Sequence, residues 1–220
     1  MKQRMFKAFK LLTLLFLAGC ANVLYGAEPS SDAPESTRDS TVVFKDADSY
    51  EHALQIWKTA EDINAWIAAN FSYDMVRAVR LSETQRTKSE EFSIYPPSEF
   101  FSIKAGVCVD LSRFGVETLR RIDPQSDPKY LMIEFDPIQF AGNTLRRHWL
   151  VSFKRDGKSY FFADSKRPGH IAGPYKDARE FIHEYAQYRG RKIVVFREVG
   201  SYQKQRRAPA LKLQAPEKKP

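Results

Sequence analysis

The chain is short of the residues that build metal, nucleotide and nucleic-acid sites. Cysteine occurs twice in 220 residues, at Cys20 and Cys108. With no second thiol near Cys108, no histidines paired at helical spacing and no acidic cluster of ligand type, no metal is expected. Glycine is sparse at ten, none of it forms a phosphate-cradling loop, and no cofactor is called for. Long apolar runs are missing apart from Leu11-Leu-Thr-Leu-Leu-Phe-Leu-Ala18, which is too short for a comfortable membrane span. A net basic charge is missing from the middle of the chain. The formal net charge is +8, but residues 1–19 and the last twenty carry a net +9 between them and leave the remainder at −1. A nucleic-acid footprint is therefore not expected.

What is present begins with a targeting segment. Lys2, Arg4, Lys7 and Lys10 lead into the apolar stretch, which ends Leu17-Ala-Gly-Cys20. This resembles the bacterial lipobox, so residues 1–19 read as a lipoprotein signal peptide. The resemblance implies lipidation of Cys20 and a membrane anchor through it. Ala21 follows the cysteine instead of the aspartate usual for inner-membrane retention. The lean is then towards the outer membrane, with the domain facing the periplasm. Residues 20–41, rich in Ala, Ser, Pro, Asp and Glu, read as a flexible tether. If Cys20 carries lipid, Cys108 is a lone thiol in an oxidising compartment, where it is either buried or has a use.

One domain of mixed helix and antiparallel sheet is expected over 42–200, followed by a basic disordered tail over 201–220. Asp48 with Glu51 suggests a capping box. Ala53, Ile56, Trp57, Ala60, Ile63 and Ile67 then trace one helical stripe of core. Residues 72–92 show little period and read as a surface excursion. Tyr95-Pro-Pro-Ser-Glu-Phe-Phe101 reads as a turn into a short helix starting near Pro97 or Ser98. In Lys104 to Ile122, a glycine turn precedes Cys108, and Leu111, Phe114, Thr118, Leu119 and Ile122 mark the buried face of a helix stopped by Asp123-Pro124. Cys108 thus falls in a first helical turn, whose unpaired N–H groups and positive end favour thiolate. Further on, Tyr130–Phe135 reads as a strand, Arg147–Lys154 and Lys158–Ala163 as a hairpin, Asp177–Tyr188 as a helix, and Lys192–Val199 as a last strand.

A nucleophilic cysteine needs a base, and the base needs a partner to hold its tautomer. His52 and His183 fall on polar helix faces and His170 in a loop, which leaves His148 at a strand start. A two-residue Asp156-Gly157 turn would set Asp164 on the opposite face from His148. A three-residue Arg155-Asp156-Gly157 loop with a bulged glycine would make His148 and Asp164 direct cross-strand neighbours, roughly 5 Å apart at Cβ. The second register also pairs Leu150 with Phe162 and Val151 with Phe161, and it is the one expected.

Gly106-Val-Cys-Val-Asp110 opening a helix, His148-Trp149 on a strand and Phe162-Ala-Asp164, with separations of 40 and 16 residues, resemble the transglutaminase-like branch of the papain-like cysteine enzymes over about residues 50–175. The resemblance implies an α+β core in which the nucleophile helix packs on an antiparallel sheet. It assigns Cys108 as nucleophile, His148 as general base then acid, and Asp164 as the residue orienting His148. The backbone N–H of Cys108 would serve the oxyanion. Gln85 stands in no recognisable motif, and Tyr95 is the candidate for a second oxyanion donor. Asp110 reads as support for the first helical turn. The implied activity is acyl transfer from peptide or isopeptide amides of a peptide or protein substrate in the cell envelope. The competing readings are a peptide-binding module with its triad kept, and a structural envelope lipoprotein with an inert thiol.

Overall fold

Thr59 divides what the apolar spacing presents as one helical stripe. In the computed structural model, which describes residues 32–35, 41–87, 93–140 and 143–203, two helices replace it: α1 (Tyr50–Ile56) and α2 (Ala60–Asn70). Thr59 and Asp62 form a reciprocal capping box that restarts the helix. The box expected at Asp48 is absent. Ser49 caps α1 instead, accepting from the His52 N–H at 3.2 Å, while Asp48 binds the His52 ring. Ala53, Trp57, Ala60, Ile63 and Ile67 are buried all the same. The stretch expected to be a signal peptide, Cys20 and most of the expected tether lie outside the described residues.

The stretch after α2 is more ordered than its weak period suggests. A two-residue strand β1 (Ser72–Tyr73) leads into α3 (Met75–Thr87), where Asp74 accepts the Arg77 N–H at 2.8 Å. Gln85 falls within α3. Next, α4 (Pro97–Ile103) starts at its proline and delivers the chain to β2 (Ala105–Gly106), which pairs in parallel with β1. Helix α5 (Cys108–Ile122) follows directly.

Five strands form the main sheet: β3 (Lys129–Phe140), β4 (Asn143–Arg155), β5 (Lys158–Phe162), β6 (Ala172–Tyr175) and β7 (Ile193–Val199), in the order β6-β5-β4-β3-β7 and antiparallel throughout. Helix α6 (Ala178–Arg189) joins β6 to β7. One sheet face presents Tyr130, Val151, Phe153 and Phe162 to α5 and the aromatic cluster beyond it, where Trp66 stacks on Phe101 at 5.0 Å. The other presents Leu131, Ile133, Leu150 and Phe161 to α6, with Phe161 stacked on Phe181 at 4.0 Å. The helix that starts at Cys108 therefore packs on an antiparallel sheet, as the resemblance implies. Gly115 permits the approach, since a Cβ there would meet Val151 Cγ2 at 2.7 Å.

The hairpin does not adopt the expected register. Asp156 and Gly157 both have positive φ, 51° and 72°, so the loop is a two-residue turn of the primed type that suits the twist of a hairpin. Val151 faces Phe162 and Ser152 faces Phe161, one residue away from the pairing read from the sequence. Aspartate tolerates the left-handed region well enough to make the bulged three-residue loop unnecessary. Tyr202, within the stretch expected to be a disordered tail, packs on Tyr130 at 5.7 Å, with the Arg113 guanidinium 5.2 Å from its ring. Residues 204–220 lie outside the description.

Candidate active site

Asp110 organises the approach to Cys108. Its side chain is fully buried and accepts four hydrogen bonds, two from Arg77 at 2.7 Å each, one from the Val107 N–H at 3.1 Å and one from the Tyr95 N–H at 3.0 Å. The bond to Val107 is half of a capping box, since valine has no oxygen to return the contact. One carboxylate thus ties α3, the strand-like approach at Tyr95 and the start of α5 together. The Arg77 guanidinium also lies 3.6 Å from the Tyr95 ring centroid. Tyr95 is accordingly held by the Arg77–Asp110 pair, which places it in the scaffold of the helix start.

Cys108 and His148 are both buried. On β4, His148 shares its sheet face with Leu150 and stacks on Tyr185 of α6 at 6.1 Å between centroids. Its Nε2 lies 2.9 Å from Asp164 Oδ1. Asp164 also accepts from the Lys166 N–H at 2.9 Å, the Tyr185 hydroxyl at 3.0 Å and, more loosely, Arg167 Nε at 3.5 Å. A carboxylate so supplied with donors accepts the imidazole N–H at Nε2, which leaves Nδ1 to face Cys108. Atoms of Asp32, Cys108 and His148 lie within 4.8 Å of one another.

The register would leave Asp164 on the wrong face, and Ala163 corrects it. Ala163 has φ of 56°, which ends β5 at Phe162 and turns the chain, so the strict alternation of side chains stops before Asp164. The contact between His148 and Asp164 exists, but through a left-handed residue and not through cross-strand pairing.

The electrostatics depart from the helix-terminus argument. Burial pushes the Cys108 thiol up, the neighbouring Asp32 carboxylate adds to that, and His148 opposes it without prevailing. For His148, burial works against the charged ring, yet Tyr185 and the carboxylates of Asp32 and Asp164 hold its pKa well above the ordinary value. Asp164 is buried as well, and His148, Arg189 and Arg167 nevertheless lower it to about 2.

Three further groups at the site carry no motif in the sequence. Asp32 comes from the stretch read as tether; its Oδ1 accepts from Arg189 Nη2 at 2.7 Å and lies 3.2 Å from His148 Nδ1. Arg189, at the end of α6, also donates to the Tyr185 hydroxyl at 3.0 Å. Tyr73 sits on β1 opposite Gly106, and burial together with the charges of Asp32 and Cys108 raises its hydroxyl pKa well above the usual value. A tyrosine on the strand that pairs with the pre-cysteine glycine was the signal available for it; nothing local announced Asp32 or Arg189. Asp32, Cys108 and His148 are of metal-ligating types at ligating spread, but Arg189 already places a cation on the same Asp32 oxygen.

A thiol at a helix start, an imidazole on the adjoining strand and a carboxylate behind the imidazole define the papain-like class of cysteine sites. The sequence profile of the transglutaminase-like domain matches residues 49–194, and the chain belongs to that family. Comparison with curated proteins gives no match.

Proposed function

We propose that the protein is a cysteine acyl-transfer enzyme, an amidase, peptidase or transamidase, acting on peptide or isopeptide amide bonds in the bacterial cell envelope. The observation that carries this is the orientation of His148: Nε2 is taken by Asp164, while Nδ1 is turned to the cluster that Cys108 shares with Asp32, whose carboxylate is 3.2 Å away. In the reaction, Cys108 Sγ attacks the carbonyl carbon as the thiolate of a thiolate–imidazolium pair, with the imidazolium proton on Nδ1. The oxyanion forms near the Cys108 N–H at the helix start, where backbone donors lack intrahelical acceptors, and Tyr73 replaces Tyr95 as the second donor. Nδ1 then protonates the leaving nitrogen, a thioester remains on Sγ, and water or an amine releases the acyl group.

Anchoring through lipid on Cys20, with the domain facing the periplasm from the outer membrane, completes the proposal. It rests on the lipobox resemblance; among the described residues no helix is long and apolar enough to cross a membrane. Labelling of cells with radioactive palmitate tests the anchor, with incorporation lost in Cys20→Ala. Turnover of a peptide library, with trapping of a thioester on Cys108, tests the chemistry. Peptide capture without turnover, and with no adduct on Cys108, would favour the binding-module reading, which the docking of residues 32–35 beside the thiol makes the next choice.

A further inference from the structure

The stretch around Asp32 is polar and aperiodic, yet it is held as a peptide ligand would be. Ser165 Oγ donates to the Asp32 carbonyl at 2.8 Å, and the Glu35 N–H donates to the Lys166 carbonyl at 3.3 Å. Between these backbone contacts the Asp32 side chain turns inward to Arg189 and His148. The Lys166 and Arg191 cations add to the positive field around it. Lys166 is itself buried, with its Nζ 4.0 Å from the Glu35 carboxylate. The site beside Cys108 is therefore built for an anion carried on a backbone held at both ends.

The position of that anion matters for catalysis. An atom 3.2 Å from His148 Nδ1, and within 4.8 Å of Cys108 Sγ, stands where the leaving nitrogen must receive its proton. A substrate amide has to bring its carbonyl carbon to roughly 3–3.5 Å from the sulfur, so it cannot bind productively while Asp32 is in place. The carboxylate also competes with the sulfur for the same partner. With Asp32 seated, imidazolium and guanidinium find their counter-charges in Asp32 and Asp164, and the thiol stays neutral. With Asp32 withdrawn, the thiol loses its proton to solvent and the thiolate becomes the anion that faces the protonated Nδ1.

We propose that residues 32–35 are an internal occupant of the substrate groove, that the Asp32 carboxylate holds Cys108 inactive, and that the groove accepts an acidic peptide whose carboxylate takes the place of Asp32 on Arg189. This rests on the acyl-transfer reading for its consequence, but the occupancy can be tested separately.

The test is the rate of Cys108 alkylation by iodoacetamide in the full chain near neutral pH. Asp32→Ala and Asp32→Asn are expected to alkylate at least tenfold faster than the wild type. Unchanged thermal unfolding and a return to the slow rate in Asp32→Ala/His148→Ala would separate this from unfolding. A synthetic peptide spanning Pro29–Thr37, added to Asp32→Ala, restores protection, and the same peptide with alanine for Asp32 does not. Equal rates in wild type and both variants would overturn the proposal, as would equal protection by the two peptides. If the variants and peptides behave as expected but no peptide is ever turned over, the occupancy stands and the enzymatic reading falls. If wild type turns over peptides and Asp32→Ala does so no faster, the reverse holds.

Discussion

At the residue scale, two buried carboxylates divide the work. Asp164 accepts from His148, the Lys166 N–H and Tyr185. Asparagine in its place keeps the shape but offers an amide, which favours the wrong imidazole tautomer. Asp164→Asn is expected to lower turnover by about 10²–10⁴-fold and to lower the thermal midpoint at neutral pH, where the charge of Asp164 contributes in full. The sign of the pH effect follows from the lowered pKa. Asp164 is held at about 2 against an ordinary 3.8, so its contribution is complete above pH 4 and is lost as pH falls towards 2. That contribution is of the order of 2 kcal/mol, and acid titration of unfolding should show a shallower loss in Asp164→Asn. His148 runs the other way: its raised pKa stabilises fully below about pH 6.5 and fades as pH rises through the folded value. Asp110 is the structural counterpart. Asp110→Ala leaves Arg77 facing a gap and strips two backbone N–H groups of their acceptor, for an expected loss of about 3–5 kcal/mol in urea unfolding.

At the scale of elements, the end of β5 and the face of α5 set the geometry. Ala163 is buried and left-handed. Ala163→Gly should be close to neutral, because relief of about 1–2 kcal/mol of backbone strain is offset by chain entropy and a lost methyl. Ala163→Val has no such relief and sets a β-branched side chain in a region it avoids. Both the melting temperature and turnover should fall, since Asp164 moves with the turn. On α5, Gly115→Ala would ordinarily strengthen a helix by about 1 kcal/mol. Here its Cβ meets Val151 at 2.7 Å, so helix and sheet must separate and a net loss of about 1–3 kcal/mol is expected in thermal unfolding. The sequence misled at this scale for a clear reason. Turn type depends on whether Asp156 accepts a positive φ, and spacing between apolar residues cannot report that. The apolar pairs satisfied both registers, because Leu150, Val151, Phe161 and Phe162 are all buried.

At the scale of the whole molecule, segments distant in sequence complete the domain. Residues 32–35 reach the site, and Tyr202 covers Tyr130. Tyr202→Ala is expected to cost about 0.5–1.5 kcal/mol without changing the reactivity of Cys108, in contrast with the Asp32 variants. The amino-acid order by itself determined the helix that starts at Cys108, the strand bearing His148 and the apolar faces on either side of the sheet. These depend on periods of two and 3.6 residues and on local stop signals, which are written within a few residues of where they act. Tertiary structure alone decided that Asp164 meets His148 through Ala163, that Tyr95 is held by Arg77 and Asp110 at the start of α5, and that Asp32 and Arg189 enter the site. Such contacts join positions up to 157 residues apart, and their energies come from burial and charge pairing that exist only once the layers have packed.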